Sequence, residues 1–184
     1  MNTPVLIIPG IGNSDANHWQ TQWQRNNPSF VRLQIEDWEN PQCELWTNAI
    51  DAAVQSLGPA TVLVAHSLGC LALAHWVAQA THPVRGALLV AVPDPHGPAF
   101  PEAAQGFSPL PWERFSFPSI LVASDNDPYA SPEHAGYCAD AWGSRLVRAG
   151  HKGHLNSASG LGDWEYGWTL LQSLRSLPVT TQIK

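Results

Sequence analysis

The chain has 184 residues, of which nine are Lys or Arg and fifteen are Asp or Glu, giving a formal net charge of −6. This length suits one domain with its own core, and the few, scattered basic residues argue against nucleic acid and anionic membranes as partners. The three cysteines have no CxxC spacing, so neither a disulfide framework nor a structural zinc site is predicted. The first ten residues show no basic leader, and their apolar run is too short for a signal peptide or a membrane span, so we expect a cytoplasmic protein.

Short apolar runs alternate with helical patterns along the chain. The runs predict six strands, at 5–8, 30–35, 61–66, 86–92, 119–123 and 145–147. Helices are predicted from about 18 to 26, at 43–57, 67–80 and 132–142, and from about 163 to 177. This alternation predicts parallel strands joined by right-handed crossovers in a three-layer α/β sandwich.

Three segments have expectations of their own. The strand at 30–35 alternates in hydrophobicity, which is typical of a position near a sheet edge. Residues 93–118 are rich in proline and predict a long irregular loop, with one short helix near 101–105. The polar tail from about 178 is expected to be frayed. Caps for the first helix are expected among Asn13, Ser14, Asp15 and Asn17.

Ser67 stands at an abrupt corner between the third strand and the helix that follows it. A serine there displays its hydroxyl beside the free N–H groups of the helix start, as in a nucleophile elbow. The alternative is an ordinary helix N-cap, which is a common use of serine. The first glycine of the usual elbow motif is Ala65 here.

Acidic residues and histidines follow the fifth and sixth strands, at the sheet edge where ligands bind in such folds. The order Ser, Asp, His is that of an α/β-hydrolase triad, in which a hydroxyl attacks, an imidazole moves the proton and a carboxylate orients the imidazole. Of the two carboxylates we favour Asp127, because Asp125 could cap the turn. Of the two histidines we favour His154, whose loop is long enough to return to Ser67, over His151.

Backbone amides could complete such a site. The N–H of Leu68, together with that of Ile11 or Gly12 after the first strand, could bind the oxyanion of a tetrahedral intermediate. Candidate substrate-binding side chains are His18 and Trp19, which open the first helix, and His66, which precedes the serine; packing is the alternative role for all three. The remaining histidines lack ligand spacing, so no metal site is predicted.

Several motifs in this order resemble the small cofactor-free serine hydrolases related to retinoblastoma-binding protein 9, a compact branch of the α/β-hydrolases. The motifs lie at 9–13 with His18-Trp19, and at 66–69, 124–129, 153–156 and 160–162. The resemblance implies Ser67 as nucleophile, Asp127 as orienting acid and His154 as base. It also implies no cofactor, no large lid domain and a sheet of strand order 2-1-3-4-5-6.

The expected activity is hydrolysis of a small ester, or of an amide or short peptide, through an acyl-enzyme. The resemblance leaves the substrate open, because some relatives are described as peptidases acting near an amino terminus and others as partner-binding proteins. The alternative is therefore a protein-interaction module on a hydrolase scaffold. A nucleotide-binding domain is disfavoured, because the sequence has no glycine-rich phosphate cradle.

Overall fold

The structure is a computed structural model that describes residues 3–80 and 82–177. Six strands alternate with five α-helices and one 3₁₀ turn. The strands are β1 (Val5–Ile8), β2 (Phe30–Arg32), β3 (Val62–His66), β4 (Gly86–Val90), β5 (Ser119–Ala123) and β6 (Arg145–Arg148). The helices are α1 (Trp19–Asn26), α2 (Cys43–Leu57), α3 (Leu68–Gln79), α4 (Pro132–Trp142) and α5 (Glu165–Arg175), and the 3₁₀ turn is Ser157–Ser159.

All six strands pair in parallel, in the order β2-β1-β3-β4-β5-β6, which confirms the predicted fold class. The chain moves outward from β1 to β2 and then returns to pair β3 on the other side of β1. This reversal creates a crevice beyond the carboxyl ends of β1 and β3, where ligands bind in open α/β sheets. Among the described residues there is no large lid domain over this edge.

Helices cover both faces of the sheet, and this explains why the central strands are continuous apolar runs. The core on one face is formed with α2, α3 and α4, whose side chains Trp46, Leu71 and Trp142 are fully buried. The core on the other face is formed with α1 and α5, through Trp23 and Leu171. In the described part of the chain, no helix has the length and apolar character needed to cross a bilayer.

Two strands end earlier than predicted, one because its partner strand ends and the other because its backbone turns away. Strand β2 lies at the predicted edge but ends at Arg32, not at residue 35. The N–H of Leu33 still donates to Ile7 O at 2.9 Å, but the partner strand β1 ends at the next residue, Ile8. Strand β4 ends at Val90, not at residue 92, because Ala91 takes a positive φ of 56°.

The short helix predicted near 101–105 is absent. The backbone of Gln105 instead bridges to the start of α2, accepting from Cys43 N–H and donating to Pro41 O, each at 2.9 Å. The last helix starts at Glu165, not at 163, because Trp164 has a φ of 42° that is incompatible with a helix. The expectation of a frayed tail from about 178 concerns residues outside the described ones.

Helix α1 is capped by a residue that was not among the four predicted caps. The side chain of His18 accepts a hydrogen bond from Gln20 N–H at 3.2 Å, at the N-cap position. Histidine is a rare choice there, since short oxygen-bearing side chains are the favoured caps. This contact matters below because it determines which ring nitrogen of His18 carries a proton.

Candidate active site

Ser67 occupies a backbone conformation that side chains rarely adopt, with φ 54° and ψ −127°. It turns β3 directly into α3, and its side chain makes no capping hydrogen bond. The turn is tight because the next residue but one is glycine: a Cβ on Gly69 would lie 2.5 Å from Ile8 O and closer still to Pro9 O. A strained serine at a functional edge matches a nucleophile elbow better than it matches a helix cap.

The structure brings Ser67, His154 and Asp127 into one hydrogen-bonded line. Ser67 Oγ lies 2.8 Å from His154 Nε2, and His154 Nδ1 lies 2.9 Å from both carboxylate oxygens of Asp127. The side chains of His154 and Asp127 are 8% and 4% exposed, respectively. With a neutral imidazole, Nδ1–H donates to the carboxylate and Nε2 accepts from the serine hydroxyl. This tautomer leaves Nε2 free to take the serine proton.

The two alternative residues lie outside this line. Asp125 forms an ion pair with Arg148, whose Nε and Nη2 are each 2.7 Å from its Oδ1. His151 is exposed on the loop after β6. In the described part of the chain it makes no hydrogen bond to Ser67. The preferences for Asp127 and His154 therefore agree with the arrangement of the side chains.

Small polar side chains attach the loop of His154 to its surroundings, and sequence reasoning assigned them no such role. Ser124 Oγ accepts from Lys152 N–H at 2.9 Å, and Asn126 Oδ1 accepts from Gly153 N–H at 2.8 Å. The loop after β5 thus holds the two residues that immediately precede His154. A signal was available, because these residues lie in the same short polar segment as Asp127.

Backbone amides beside Ser67 are available to bind an oxyanion. The loop after β1, called the first loop below, approaches Ser67 so closely that a Cβ on Gly10 would lie 2.9 Å from Ser67 Cβ. Within the described residues, the N–H groups of Ile11 and Leu68 donate no hydrogen bond. The N–H of Gly12 donates to Trp38 O at 2.9 Å, so Gly12 is not available as an oxyanion donor and that alternative is corrected.

A cavity of about 340 Å³ opens over Ser67 and His154. One part of its wall is apolar and is formed by Pro93, Phe100, Pro101 and Tyr129. Another part is polar and is formed by Asn13, Asp15, Asn156 and Ser157. The volume is at the small end of the range for ligand pockets, which is roughly 300–1,000 Å³. The cavity therefore suits a small substrate with both apolar and polar groups.

His18 and His66 line this cavity, whereas Trp19 does not. Trp19 is 1% exposed, and its indole N–H donates to Leu155 O at 2.8 Å. Its ring packs against that of Trp23, with ring centroids 4.6 Å apart. The prediction of Trp19 as a substrate-binding residue is therefore corrected: it is a core residue that supports the chain next to His154.

Burial keeps His18 and His66 neutral. Desolvation lowers the pKa of His18 to about 4, against the opposing effect of the Asp15 carboxylate. Desolvation, with smaller contributions from His18 and His154, lowers the pKa of His66 well below its usual value. Neutral His66 donates from Nε2 to the backbone oxygen of His154, 2.9 Å away. His66 is thus a second restraint on the position of His154.

Gln20 connects the loop after β1 to both central strands, a contact that sequence reasoning missed. Its fully buried side-chain amide donates to Ile8 O at 3.3 Å and to Val64 O at 3.1 Å, and its Oε1 accepts from Ser14 Oγ at 2.7 Å. A buried amide with all these partners fixes the strand ends that precede Gly10 and Ser67. Its place in the amphipathic pattern of α1 was the only available signal.

Arg32 holds the same loop from outside. Its guanidinium donates to Asn13 Oδ1 at 2.6 Å, to Ser14 O at 3.2 Å and to Thr21 Oγ1 at 2.8 Å. Partial burial lowers its pKa, but an arginine remains charged at neutral pH. The first loop is therefore fixed both below, by Gln20, and outside, by Arg32.

Comparisons with solved structures and with family models show which proteins this chain is similar to. A YdeN-like hydrolase from Pectobacterium atrosepticum is 33% identical, with a TM-score of 0.82 over 94% of this chain and 90% of that chain. The ydeN gene product of B. subtilis is 23% identical, with a TM-score of 0.76 over 96% and 100% of the two chains. A thermophilic esterase from Thermogutta terrifontis is 17% identical, with a TM-score of 0.68 over 95% and 90%.

The structures from B. subtilis and T. terrifontis show a shared fold only, because their sequence identity to this chain is low. No curated protein matches the sequence. The model of the serine hydrolase family matches residues 5–173, which is nearly the whole chain. The chain therefore belongs to the serine hydrolase family, and its fold is of the α/β-hydrolase type.

Proposed function

We propose that this protein hydrolyses small carboxylic esters through an acyl-enzyme on Ser67. The observation that carries the proposal is the unbroken hydrogen-bond path from Asp127 through His154 to a strained serine. Two unpaired amides beside that serine, those of Leu68 and Ile11, supply the remaining requirement of acyl transfer.

The reaction follows from the positions of these groups. Ser67 Oγ attacks the ester carbon while its proton moves to His154 Nε2, and the carbonyl oxygen becomes an oxyanion bound by the two amides. The tetrahedral intermediate collapses as the C–O bond to the alcohol breaks, and His154 returns the proton to the departing oxygen. Water then repeats these steps, adding a hydroxyl to the acyl carbon and restoring Ser67. Asp127 stabilises the imidazolium in both halves.

Esters come before amides in this proposal because the cavity is small and an ester carbonyl, which is less stabilised by resonance than an amide carbonyl, is attacked more readily. The same groups could cleave an amide or a short peptide, which is the finer alternative. Kinship with the proteins related to retinoblastoma-binding protein 9 and a cytoplasmic location stay predictions. The interaction-module alternative is weaker, because a binding surface has no need of an aligned Ser67–His154–Asp127 path.

A fluorophosphonate probe tests the proposal directly, since it phosphonylates an activated serine. We expect labelling of the wild-type protein and none of Ser67→Ala. The matched control is Ser56→Ala, which removes an exposed hydroxyl from α2 and should leave labelling intact. Absence of labelling in well-folded wild-type protein would contradict the proposal. A panel of chromogenic esters and aminoacyl amides then separates the two substrate classes.

A further inference from the structure

His18 carries a polar atom whose bonding is incomplete. His18 Nε2 is a buried nitrogen without a hydrogen-bond partner in the described part of the chain, and His18 lines the cavity over Ser67. The side chain is 4% exposed. Native proteins rarely leave a buried donor or acceptor unpaired, and each exception calls for an explanation, such as a catalytic role or a bound water or ion.

The unpaired atom is a donor. His18 Nδ1 accepts from the backbone N–H of Gln20, so the proton of the neutral ring is on Nε2. The cap contact thus fixes the tautomer, and it also holds the ring in place at the start of α1. This N–H therefore has no acceptor within the described part of the chain, and leaving a buried donor unpaired costs free energy.

Among the ring contacts of His18 in the described part of the chain, the shortest is with His66. The two rings meet edge to face at 70°, with centroids 4.7 Å apart. An N–H directed at an aromatic face is a weak interaction compared with a hydrogen bond to oxygen. The contact therefore leaves most of the hydrogen-bonding capacity of His18 unused.

The position of His18 separates it from the candidate oxyanion amides. Leu68 and Ile11 pack with the core on the α2–α3 face of the sheet. His18 and His66 are in ring contact with Trp19, which belongs to the core on the α1–α5 face. The side chains of Leu68 and Ile11 therefore pack on the opposite face of the sheet from the ring of His18.

The charge beside His18 limits the kind of oxygen it would bind. Asp15 lies on the same wall, and hydrogen bonds from the Ser157 hydroxyl and Asn17 N–H hold the pKa of its carboxyl below the usual value. An ionised carboxylate on this wall repels an anionic group. An uncharged acceptor, such as an ether, hydroxyl or carbonyl oxygen, meets no such repulsion.

We propose, building on the function proposed above, that His18 Nε2–H donates a hydrogen bond to a second, uncharged oxygen of the substrate. The preferred substrates are then small esters with such an oxygen in the acyl or the alcohol part, and His18 is a specificity-determining residue. This extends the proposed reaction from small esters in general to oxygen-bearing ones.

Two pairs of isosteric esters test this proposal and distinguish the two parts of the substrate. Para-nitrophenyl methoxyacetate and para-nitrophenyl butyrate differ by one oxygen in the acyl part. Methoxyethyl acetate and butyl acetate differ by one oxygen in the alcohol part. The ratio of kcat/KM within each pair is compared between wild type and variants, so the intrinsic reactivity of each ester cancels.

The decisive variant is His18→Asn, because asparagine is a favoured N-cap that can accept from Gln20 N–H but has no donor at the Nε2 position. We expect the preference for the oxygen-bearing ester to fall roughly 3- to 10-fold in one of the two pairs, as expected for loss of one hydrogen bond to substrate. His18→Gln places an amide N–H near that position and should keep most of the preference.

Equal ratios in wild type and His18→Asn for both pairs would overturn the proposal, as would an equal loss of activity on all four esters. If His18→Asn folds poorly, His18→Ser replaces it, because serine is also a favoured N-cap and has no donor at the Nε2 position. An unaltered preference in His18→Ser would overturn the proposal. Fluorophosphonate labelling separates the two proposals. Labelling that depends on Ser67, combined with an unaltered preference, rejects only the role of His18, whereas unlabelled wild type rejects the proposed function first.

Discussion

Two groups of a nucleophile, a histidine and an aspartate can be compared in the described part of the chain, and only the first has the form of an active site. The first is Ser67, His154 and Asp127. The second lies around α4: Cys138 Sγ is 3.4 Å from His134 Nε2, and His134 Nδ1 is 3.9 Å from an oxygen of Asp94. Each side-chain distance in the first group is 2.8 or 2.9 Å. The residue types therefore do not by themselves define the site.

The difference between the groups lies in how the nucleophile is presented. Ser67 stands at a turn with a positive φ, beside a cavity and unpaired amides. Cys138 lies inside a regular helix, is fully buried, and has its pKa raised to about 12 by desolvation. A thiol in that state is not a nucleophile, because the reactive species is the thiolate. The two groups therefore differ in the backbone conformation of the nucleophile and in its access to substrate. Matched substitutions in the two groups can test this difference.

The largest difference in activity is expected between variants of the two histidines, His154 and His134. His154→Ala should lower kcat for ester hydrolysis by about 10³-fold or more, because no other group is placed to take the Ser67 proton. His134→Ala should stay within about threefold of wild type, since α4 contributes nothing that touches the serine. Steady-state kinetics on one chromogenic ester measures both. A comparable loss in His134→Ala would erase the distinction between the groups.

The next largest difference in kcat is expected between variants of the two aspartates, Asp127 and Asp94. Asp127→Asn should reduce kcat by roughly 10²–10⁴-fold, because an amide cannot hold the required histidine tautomer or stabilise the imidazolium. Asp94→Asn should leave kcat close to that of wild type, since its contact with His134 is long and partly exposed. Fluorophosphonate labelling rates provide a second measurement. If Asp127→Asn kept full activity, the carboxylate would have no role in orienting His154.

Much of this arrangement was predictable from sequence because it depends on strands buried on both faces. Continuous apolar runs indicated the central strands, and parallel pairing puts the loops after β3, β5 and β6 at one edge of the sheet. That is why Ser67, Asp127 and His154 could be selected before any distance was known. The helix predicted near 101–105, which is absent, shows the limit of this reasoning, since the backbone of Gln105 pairs with Gln42, a distant segment.

The remaining parts of the site depend on contacts that local patterns do not encode. The amide of Gly12 is occupied by Trp38 O, from a later loop, and nothing near Gly12 in the sequence indicates it. The error over Trp19 was avoidable, because Trp19 and Trp23 are four residues apart and therefore share one helix face, the one that packs in the core. His18 precedes that helix and is free to line the cavity.

His66 offers a smaller and more specific perturbation. His66→Phe removes the hydrogen bond to His154 O and should lower kcat by about 10-fold, because misplacing the base by a fraction of an ångström weakens proton transfer. His66→Gln can still donate from its amide and should retain most of the activity. The matched control is His75→Phe, which removes a similar ring-to-carbonyl bond, to Phe107 O, in a region away from Ser67. Equal effects in His66→Phe and His75→Phe would show general destabilisation and no positioning role.

The smallest expected effect is the difference in free energy of unfolding between a glycine and an alanine variant at the nucleophile. The sign of this difference should be opposite at positions 67 and 138. Ser67→Gly and Ser67→Ala both lose the hydroxyl, but glycine tolerates the positive φ, so the glycine variant should have a free energy of unfolding about 1 kcal/mol higher. In α4 the order is opposite: Cys138→Gly should be less stable than Cys138→Ala by about 1 kcal/mol, because glycine is unfavourable inside a helix. Urea unfolding of the four variants gives both differences. If glycine is the less stable choice at position 67 as well, the turn there is not strained, and the presentation of Ser67 needs another explanation.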